Sequence, residues 1–279
     1  MEVSPTRFTI SRIFCHSMLR GMACAGRLTP FVAELTSLTA LHLAHNYFTG
    51  PLPDELGGLV GLTELKMGWN AFDGSIPALL GGLRSLVSLD LGRNSLNHTI
   101  PDSLFSLSEM EFLYLNDNQL SGPISPLFGD LRNLIELNLD RNALTGEISD
   151  VFAALANLKV FLASENQLNG TLPVGAFLAP SIEELAIEGG LRGDIPLSSG
   201  SATNLRRLYL AENELEGSFP AAMVNLTNLE MLDVAGNRLQ SSLPSDIGQL
   251  SFMLEFHVQR NHLFGNCEGP PSTAMTLLG

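Results

Sequence analysis

Two pairs of residues in this chain could carry metal or acid–base chemistry, and these are His42 with His45 and Asp233 with His257. His42 and His45 occur in the phrase HLAH, but side chains three apart on a strand diverge, so we expect them to bind no metal. Asp233 and His257 hold the same position of a repeating pattern and could touch. No nucleophile of clear role joins them, and an exposed polar pair is the better interpretation. The motifs GxxxxGK[ST], HExxH and GxSxG do not occur in the sequence, so we predict a protein without catalytic residues, metal or cofactor.

The charge balance restricts the class of partner. The 279 residues include 29 acidic and 15 basic side chains, for a formal net charge of -14. This excess of negative charge argues against nucleic acid and anionic lipid surfaces, which attract clustered Lys and Arg. An apolar content of 45% is ample for a continuous core, and no apolar run approaches the ~20 residues of a membrane helix. A soluble protein with a cationic or neutral partner is indicated.

A period of 24 residues organises the chain. Asparagines recur at this spacing in two series, Asn46, Asn70, Asn94, Asn118, Asn142 and Asn166, then Asn213, Asn237 and Asn261. The gap of 47 residues between the series equals one repeat of 24 and one of 23, in which Gly189-Gly190 stands in the asparagine slot. A fixed period of this length is the signature of a solenoid. For the 23-residue unit that contains Gly189-Gly190, we predict a weak repeat that the stack tolerates, with a ligand-related kink or an embedded loop as the alternative.

Other columns keep the same register. Leucine pairs such as Leu65/Met67 and Leu89/Leu91 precede each asparagine by five and three residues, and a turn phrase such as GSIP at 74–77 follows it. A worn first unit fits with Leu19, Cys24, Gly26 and Leu28, which makes ten clear repeats and one degenerate one. The alternating LxL pair predicts a strand with both leucines on one face, and each unit buries that face only by stacking on its neighbours.

The other residues that recur in each repeat can be explained by backbone chemistry. We expect the asparagine to turn inward, because its amide can satisfy both N–H and C=O groups where the chain leaves the strand. The glycine of the turn phrase permits a conformation that other residues resist, and its proline fixes φ on the return side. A short helical turn is predicted after the proline.

The pattern LxxLxxLxLxxNxLxGxIPxxLGxL resembles the plant-type leucine-rich repeat family, over about residues 17–266. That family includes the ectodomains of receptor-like kinases and receptor-like proteins and the polygalacturonase-inhibiting proteins. The resemblance implies an α/β repeat solenoid, a right-handed arc with a parallel concave β-sheet and a second small sheet. It places a poorly defined N-terminal segment at 1–16 and a C-terminal tail at 267–279.

Residues between the leucines of each strand should face solvent on the concave side and are free to bind. The residues that we predict to form this binding surface are His42, Lys66, Trp69, Asp90, Phe112, Tyr114, Asn138, Tyr209 and Asp233. The aromatic members could anchor an interface, or could be scattered surface residues. The column two residues before the asparagine is largely small, as at Gly68 and Gly92, which predicts a groove that a ligand can approach.

The sequence gives weaker evidence on glycosylation sites and on disulfide bonds. Three sequons begin at Asn97, Asn169 and Asn225, outside the predicted concave strands, where sugar would not block a groove. The cysteines Cys15, Cys24 and Cys267 are too few and too uneven in number for a disulfide framework. Cys24 is expected to be a small core residue, although a Cys15–Cys24 bridge is conceivable.

The predicted function is protein recognition, as the ligand-binding region of a cell-surface receptor-like protein or kinase, with a protein or peptide ligand and a co-receptor as candidate partners. A secreted inhibitor of a cell-wall-degrading enzyme and an intracellular scaffold are the alternatives. The family's paired-cysteine caps are not found in full, and residues 1–26 lack a clean signal pattern. An extracellular location is predicted, with membrane association only through a missing segment and a cytoplasmic location as the alternative.

Overall fold

The computed structural model describes residues 25–198 and 202–264. The predictions for residues 1–16 and 267–279, for Leu19 and for the three cysteines lie outside the described residues. The chain divides into two units, the first comprising residues up to 122 together with 141–143, and the second comprising 123–140 and the residues from 144 onward. Within the described residues, no helix combines the length and apolar character that crossing a membrane requires.

Each repeat contributes one short strand to a parallel sheet, here called the first sheet. In the first unit its strands are Ala40–His42, Glu64–Lys66, Ser88–Asp90 and Phe112–Tyr114. In the second unit they are Glu136–Asn138, Val160–Leu162, Glu184–Ala186, Arg207–Tyr209, Met231–Asp233 and Glu255–His257. Neighbours pair at the repeat period, as in Leu65 opposite Leu89 and Leu208 opposite Leu232. The predicted ladder of LxL strands is confirmed.

A second set of strands follows the asparagines. In the first unit these strands are Ala25–Arg27, Tyr47–Pro51, Ala71–Ser75, Ser95–His98 and Gln119–Pro123, which reaches the start of the second unit. The others are Ala143–Glu147, Gln167–Asn169, Arg192–Gly193, Glu214–Leu215, Gln240–Ser241 and His262–Leu263. The strand Ala25–Arg27 pairs in parallel with residues 47–49, so the described part of the worn first unit behaves as a repeat. The second sheet is confirmed.

Short helical turns connect the strands, as predicted. In the described part of the chain, the 3₁₀ turns are Pro30–Glu34, Asp54–Gly58, Ala78–Gly82, Asp102–Ser106, Pro126–Asp130, Phe152–Ala154, Ala221–Asn225 and Ile247–Gln249, and a short α-helix spans Val174–Leu178. Pro77 precedes its turn at φ -62, and Gly74 has φ +73, in the region that favours glycine. A Cβ at Gly81 would lie 2.5 Å from the carbonyl oxygen of Ser103, so glycine permits successive turns to pack closely.

The core runs between the two sheets and the helical turns of each unit. Leu65 and Met67 have no exposed surface, whereas Lys66 between them is partly exposed. Aromatic rings extend the core in the second unit, where Phe152 stacks on Phe161 with centroids 4.3 Å apart. Because each strand of the first sheet is only three residues long, as in Glu64–Lys66, it cannot bury its leucines alone, and the neighbouring repeats must supply the covering surface.

The asparagines turn inward and join successive repeats, which goes beyond the predicted local role. Asn118 Nδ2 donates to the carbonyl oxygens of Leu115 at 3.1 Å and of Leu91, one repeat earlier, at 3.0 Å. Its Oδ1 accepts from the backbone N–H of Leu96 in that earlier repeat at 2.9 Å. One side chain therefore satisfies donors and acceptors in two coils at once.

The 23-residue repeat interrupts the second sheet and leaves the first sheet intact. Strand Glu184–Ala186 pairs on both sides, with residues 160–162 and 207–209. In the second sheet an isolated bridge, Thr171 to Arg192, stands where a strand pair is expected, and another isolated bridge joins Ser218 to Gln240 further along the chain. Gly190 has φ +99, and a Cβ there would lie 2.8 Å from the carbonyl oxygen of Leu168. The pairing in the first sheet supports the interpretation of a tolerated weak repeat.

Candidate ligand-binding face

In the first unit, a groove crosses three neighbouring strands of the first sheet. Its volume is about 460 Å³. Its lining consists of side chains on these strands or just before them, which are Thr63, Glu64, Lys66, Val87, Ser88, Asp90, Phe112 and Tyr114. Four of the predicted binding residues, Lys66, Asp90, Phe112 and Tyr114, are therefore brought together. Ser88 belongs to the same surface and was not predicted, although its place two residues before Asp90 on the strand could have indicated it.

A cluster of three charged or titratable side chains lies at one end of the groove. Glu64 Oε2 is 2.9 Å from Lys66 Nζ and 2.9 Å from His42 Nε2. Hydrogen bonds from Lys66 and then from His42 hold the pKa of the Glu64 carboxyl below its ordinary value of 4.5. This end of the groove therefore combines an ionised carboxylate with the Lys66 ammonium and the His42 imidazole, in a solvent-exposed network that a polar ligand can reach.

Asp90 occupies the middle of the groove floor. Its Oδ1 accepts from the backbone N–H of Gly92 at 3.0 Å, and burial raises the pKa of its carboxyl. A Cβ at Gly68 would lie 2.7 Å from Asp90 Oδ1, and one at Gly92 would lie 2.7 Å from Asn116 Oδ1. The space expected above the small residues is therefore occupied at these two repeats by side chains of the next repeat.

A second row of side chains, here called the edge column, lies immediately before the asparagines. In the first unit it consists of His45, Trp69, Arg93, Asp117 and Arg141, whose φ values lie between 53 and 58. His45 and Trp69 stack with centroids 5.1 Å apart, and the Arg93 guanidinium lies 3.9 Å from the Trp69 ring centroid. Asp117 contacts Arg93 Nε at 3.5 Å and Arg141 at 3.6 Å.

The edge column revises the predicted surroundings of Trp69. Trp69 is 48% exposed, but it packs between His45 and Arg93 and does not line the groove beside Phe112 and Tyr114. The left-handed backbone before the asparagine turns these side chains away from the strand direction. His42 contacts Glu64 and His45 contacts Trp69, so the two histidines diverge as predicted. The sequence shows these long side chains but not the unusual backbone conformation that aligns them.

The second unit presents the remaining predicted binding residues on its own part of the first sheet. Asn138 Oδ1 accepts from the backbone N–H of Asp140 at 3.0 Å, and burial is the main cause that raises the pKa of Tyr209. Asp233 Oδ2 lies 3.3 Å from His257 Nδ1, so the expected contact between these two side chains is confirmed. Among the described residues, no group of three or more His, Cys, Asp and Glu side chains could hold a metal ion.

Glu188 lies among carboxylates in the second unit. Burial raises the pKa of its carboxyl, and the negative charges of Asp233, Asp140, Glu165 and Glu212 raise it further. Because the raised pKa belongs to the folded state, ionisation favours the unfolded state as pH rises through the ordinary value of 4.5.

Substitution of Glu188 by glutamine is expected to stabilise the protein at neutral pH. The free energy of unfolding of Glu188→Gln should exceed that of the wild type at pH 7. The difference should vanish in acid, where the Glu188 carboxyl is protonated in both the folded and the unfolded protein. Urea unfolding of both proteins across this pH range measures the effect. Equal free energies of unfolding for Glu188→Gln and the wild type at pH 7 would contradict the assignment.

The three sequon asparagines lie outside the first sheet, as predicted. Asn97 and Asn169 lie on strands of the second sheet, and Asn225 ends the 3₁₀ turn Ala221–Asn225. Asn169 and Asn225 are exposed and Asn97 is partly exposed. Their glycosylation stays a prediction.

Comparisons with known proteins match this geometry. Two family models described as leucine-rich repeats match the chain, one at residues 77–120 and 180–239 and the other at residues 37–59 and 133–155. Comparison with curated proteins gave no match.

Several solved structures share the fold. The plant peptide hormone receptor RGFR1 in complex with RGF2 is 31% identical, with a TM-score of 0.83 over 86% of this chain and 38% of that one. The PEPR1–AtPEP1 structure is 33% identical, with a TM-score of 0.84 over 86% of this chain and 34% of that one. A plant ice-binding protein is 27% identical, with a TM-score of 0.78 over 87% of this chain and 78% of that one.

The fold is therefore shared by proteins with different binding functions, and this chain spans little more than a third of the two receptor chains. Its 24-residue asparagine ladder, its two parallel strand sets, the matching family models and these structures agree. This chain belongs to the leucine-rich repeat family, and its repeats are of the plant type.

Proposed function

We propose that this chain is the ligand-binding region of a cell-surface receptor-like protein, and that a peptide or protein ligand binds the groove of the first unit. The observation that carries the proposal is the convergence of Phe112 and Tyr114 with Lys66 and Asp90 on one groove of about 460 Å³. Aromatic side chains supply rigid contact area, and the charged groups around them select orientation and partner.

The chemistry of the groove suits an extended polypeptide. Its lining changes across the three strands from Glu64 and Lys66, through Ser88 and Asp90, to Phe112 and Tyr114. A ligand that crosses the strands therefore meets charged side chains at one end and aromatic side chains at the other. Glu64 and Lys66 lie 2.9 Å apart and offer an acceptor and donors to a peptide backbone or side chain. The edge column adds an exposed row of arginine, aspartate and tryptophan side chains, which we assign to contacts with the ligand flank or a co-receptor.

The comparisons support a receptor-like role. One similar protein is a plant peptide hormone receptor in complex with RGF2, and its fold similarity covers most of this chain. We extend this similarity to an extracellular location for the chain. The three sequons lie away from the first sheet, so glycans at these positions would leave the groove open.

Removing the phenol ring of Tyr114 is expected to weaken ligand binding by at least about tenfold, as for an interface anchor. Peptides selected from a displayed library on the wild-type chain would be titrated against Tyr114→Ala by calorimetry. Tyr47→Ala is the matched control, because Tyr47 is 66% exposed and lies on the second sheet.

The control variant should retain wild-type affinity, and circular dichroism should show both variants folded. Selected peptides that bind wild type and Tyr114→Ala equally would remove the groove from the proposal. The same selection with a Phe112→Ala variant provides a second check on the neighbouring aromatic side chain.

A further inference from the structure

The second unit carries a separate groove, here called the flank groove. Its volume is about 380 Å³, and its lining consists of Glu183, Asn204, Arg206, Asn228, Glu230 and Phe252. Glu183, Arg206 and Glu230 immediately precede strands of the first sheet that begin at Glu184, Arg207 and Met231. The flank groove therefore crosses successive repeats at the start of the strands. From Glu183 to Phe252 it spans four repeats, and the three intervals between them, at the usual strand spacing, give it a length of roughly 14 Å.

Its two carboxamides are held in place by the preceding repeat. Asn204 Nδ2 donates to the carbonyl oxygen of Pro180 at 2.7 Å, and Asn228 Nδ2 donates to that of Thr203 at 2.9 Å. Each amide has a second N–H and a carbonyl oxygen beyond these bonds. Because the side chains are already oriented, a ligand that hydrogen-bonds to them loses less conformational freedom on binding.

The charges of the flank groove are compensated within the protein. Arg206 Nε donates to Glu230 Oε1 at 2.9 Å, and Glu183 Oε1 lies 2.9 Å from Lys159 Nζ. Each carboxylate thus has a cationic neighbour, and each group keeps further hydrogen-bonding positions. A charged ligand would have to compete with these pairs, whereas a neutral polar ligand can use the remaining positions without breaking them.

Phe252 supplies the apolar surface of the flank groove. Its side chain is 62% exposed, although Phe is usually buried. A flat aromatic face beside oriented amide, carboxylate and guanidinium groups matches a ligand that has both an apolar face and many hydroxyl groups. A peptide side chain would favour a deeper apolar pocket, and the flank groove has only this one aromatic residue in its lining.

We propose that the flank groove binds a neutral oligosaccharide, with one sugar ring stacked on Phe252 and sugar hydroxyls hydrogen-bonded to Asn204, Asn228 and Glu230. Each carboxylate and amide oxygen accepts from a hydroxyl, and the second N–H of each amide donates to one. This site is independent of the groove of the first unit. It gives the chain a second ligand class, separate from the polypeptide of the proposed function.

The test titrates the full chain with cellotetraose, xylotetraose and maltotetraose while amide NMR signals are recorded. At least one of these sugars is expected to bind with a Kd of about 1 mM or tighter and to shift the side-chain amide signals of Asn204 and Asn228. Phe252→Ala should weaken that binding by roughly tenfold or more. Phe31→Ala is the matched control, since Phe31 is 51% exposed and lies in the first unit.

Three results would overturn the proposal. They are the lack of binding by all three sugars at about 10 mM, sugar binding that Phe252→Ala leaves unchanged, and loss of the library-selected peptides in Phe252→Ala. The last result would assign the flank groove to a polypeptide instead. The proposed function is judged separately, because Tyr114→Ala should weaken peptide binding by at least about tenfold and leave sugar binding intact.

Discussion

Replacement of Phe161 by alanine is expected to lower the free energy of unfolding by about 3–5 kcal/mol. Phe161 lies on the strand Val160–Leu162, has no exposed surface, and stacks on Phe152 at 4.3 Å between centroids. Truncation removes buried apolar contacts and leaves a cavity that the strands on either side can only partly fill. Urea unfolding followed by circular dichroism measures the loss.

Phe161→Leu is the matched variant, because leucine holds this position in most other repeats, as at Leu65 and Leu89. It should cost less than about half as much as alanine, since most of the volume is retained. Equal losses for the leucine and alanine variants, or an alanine loss below about 1 kcal/mol, would show that the ring is not a main contributor to this core.

Replacement of Asn213 by alanine is expected to cost about 3 kcal/mol, near the upper end for buried groups left unpaired. Its Nδ2 donates to Ile187 at 2.8 Å and Leu210 at 3.0 Å, and its Oδ1 accepts from Gly189 at 2.9 Å and Leu191 at 3.0 Å. Asn213 is 7% exposed, so water cannot replace these bonds without local opening.

Asn213 lies next to the short repeat, which is a further reason to expect a large loss of stability in Asn213→Ala. Gly189-Gly190 has no side chain to continue the ladder, and Asn213 bonds both the N–H of Gly189 and that of Leu191. The matched control is Asn157→Ala, because Asn157 is exposed and makes one bond, to Arg132 at 3.3 Å. Thermal and urea unfolding should show a loss below about 0.5 kcal/mol for the control. Similar losses for both variants would contradict a special role of the ladder asparagine.

Much of the fold was predictable because its energetics repeat. Every LxL pair packs against the pair in the next coil. The register of the other repeats therefore identifies a strand even where one repeat departs from the pattern. The break at Gly189-Gly190 was visible as a length of 23 residues. Its restriction to the second sheet was not visible, because pairing of Glu184–Ala186 depends on neighbours that are far away in sequence.

The candidate site was predicted only in part. The solvent-facing column between the leucines includes Lys66, Asp90 and Tyr114, which do share one groove. The space over Gly68 was expected to be open, but the carboxylate of Asp90 occupies it. Trp69 was assigned to the same surface as Phe112, and the left-handed backbone at φ 58 places it in the edge column instead.

The amino-acid sequence by itself determined the period, the strand positions, the inward asparagines and the class of protein, because each follows from short-range chemistry repeated at fixed spacing. Tertiary structure decided which side chains of different repeats meet. The stack of Trp69 between His45 and Arg93, the anchored amides of Asn204 and Asn228, and the exposure of Phe252 all depend on contacts across coils. Such contacts depend on backbone direction and side-chain rotamer, which repeat spacing alone does not specify.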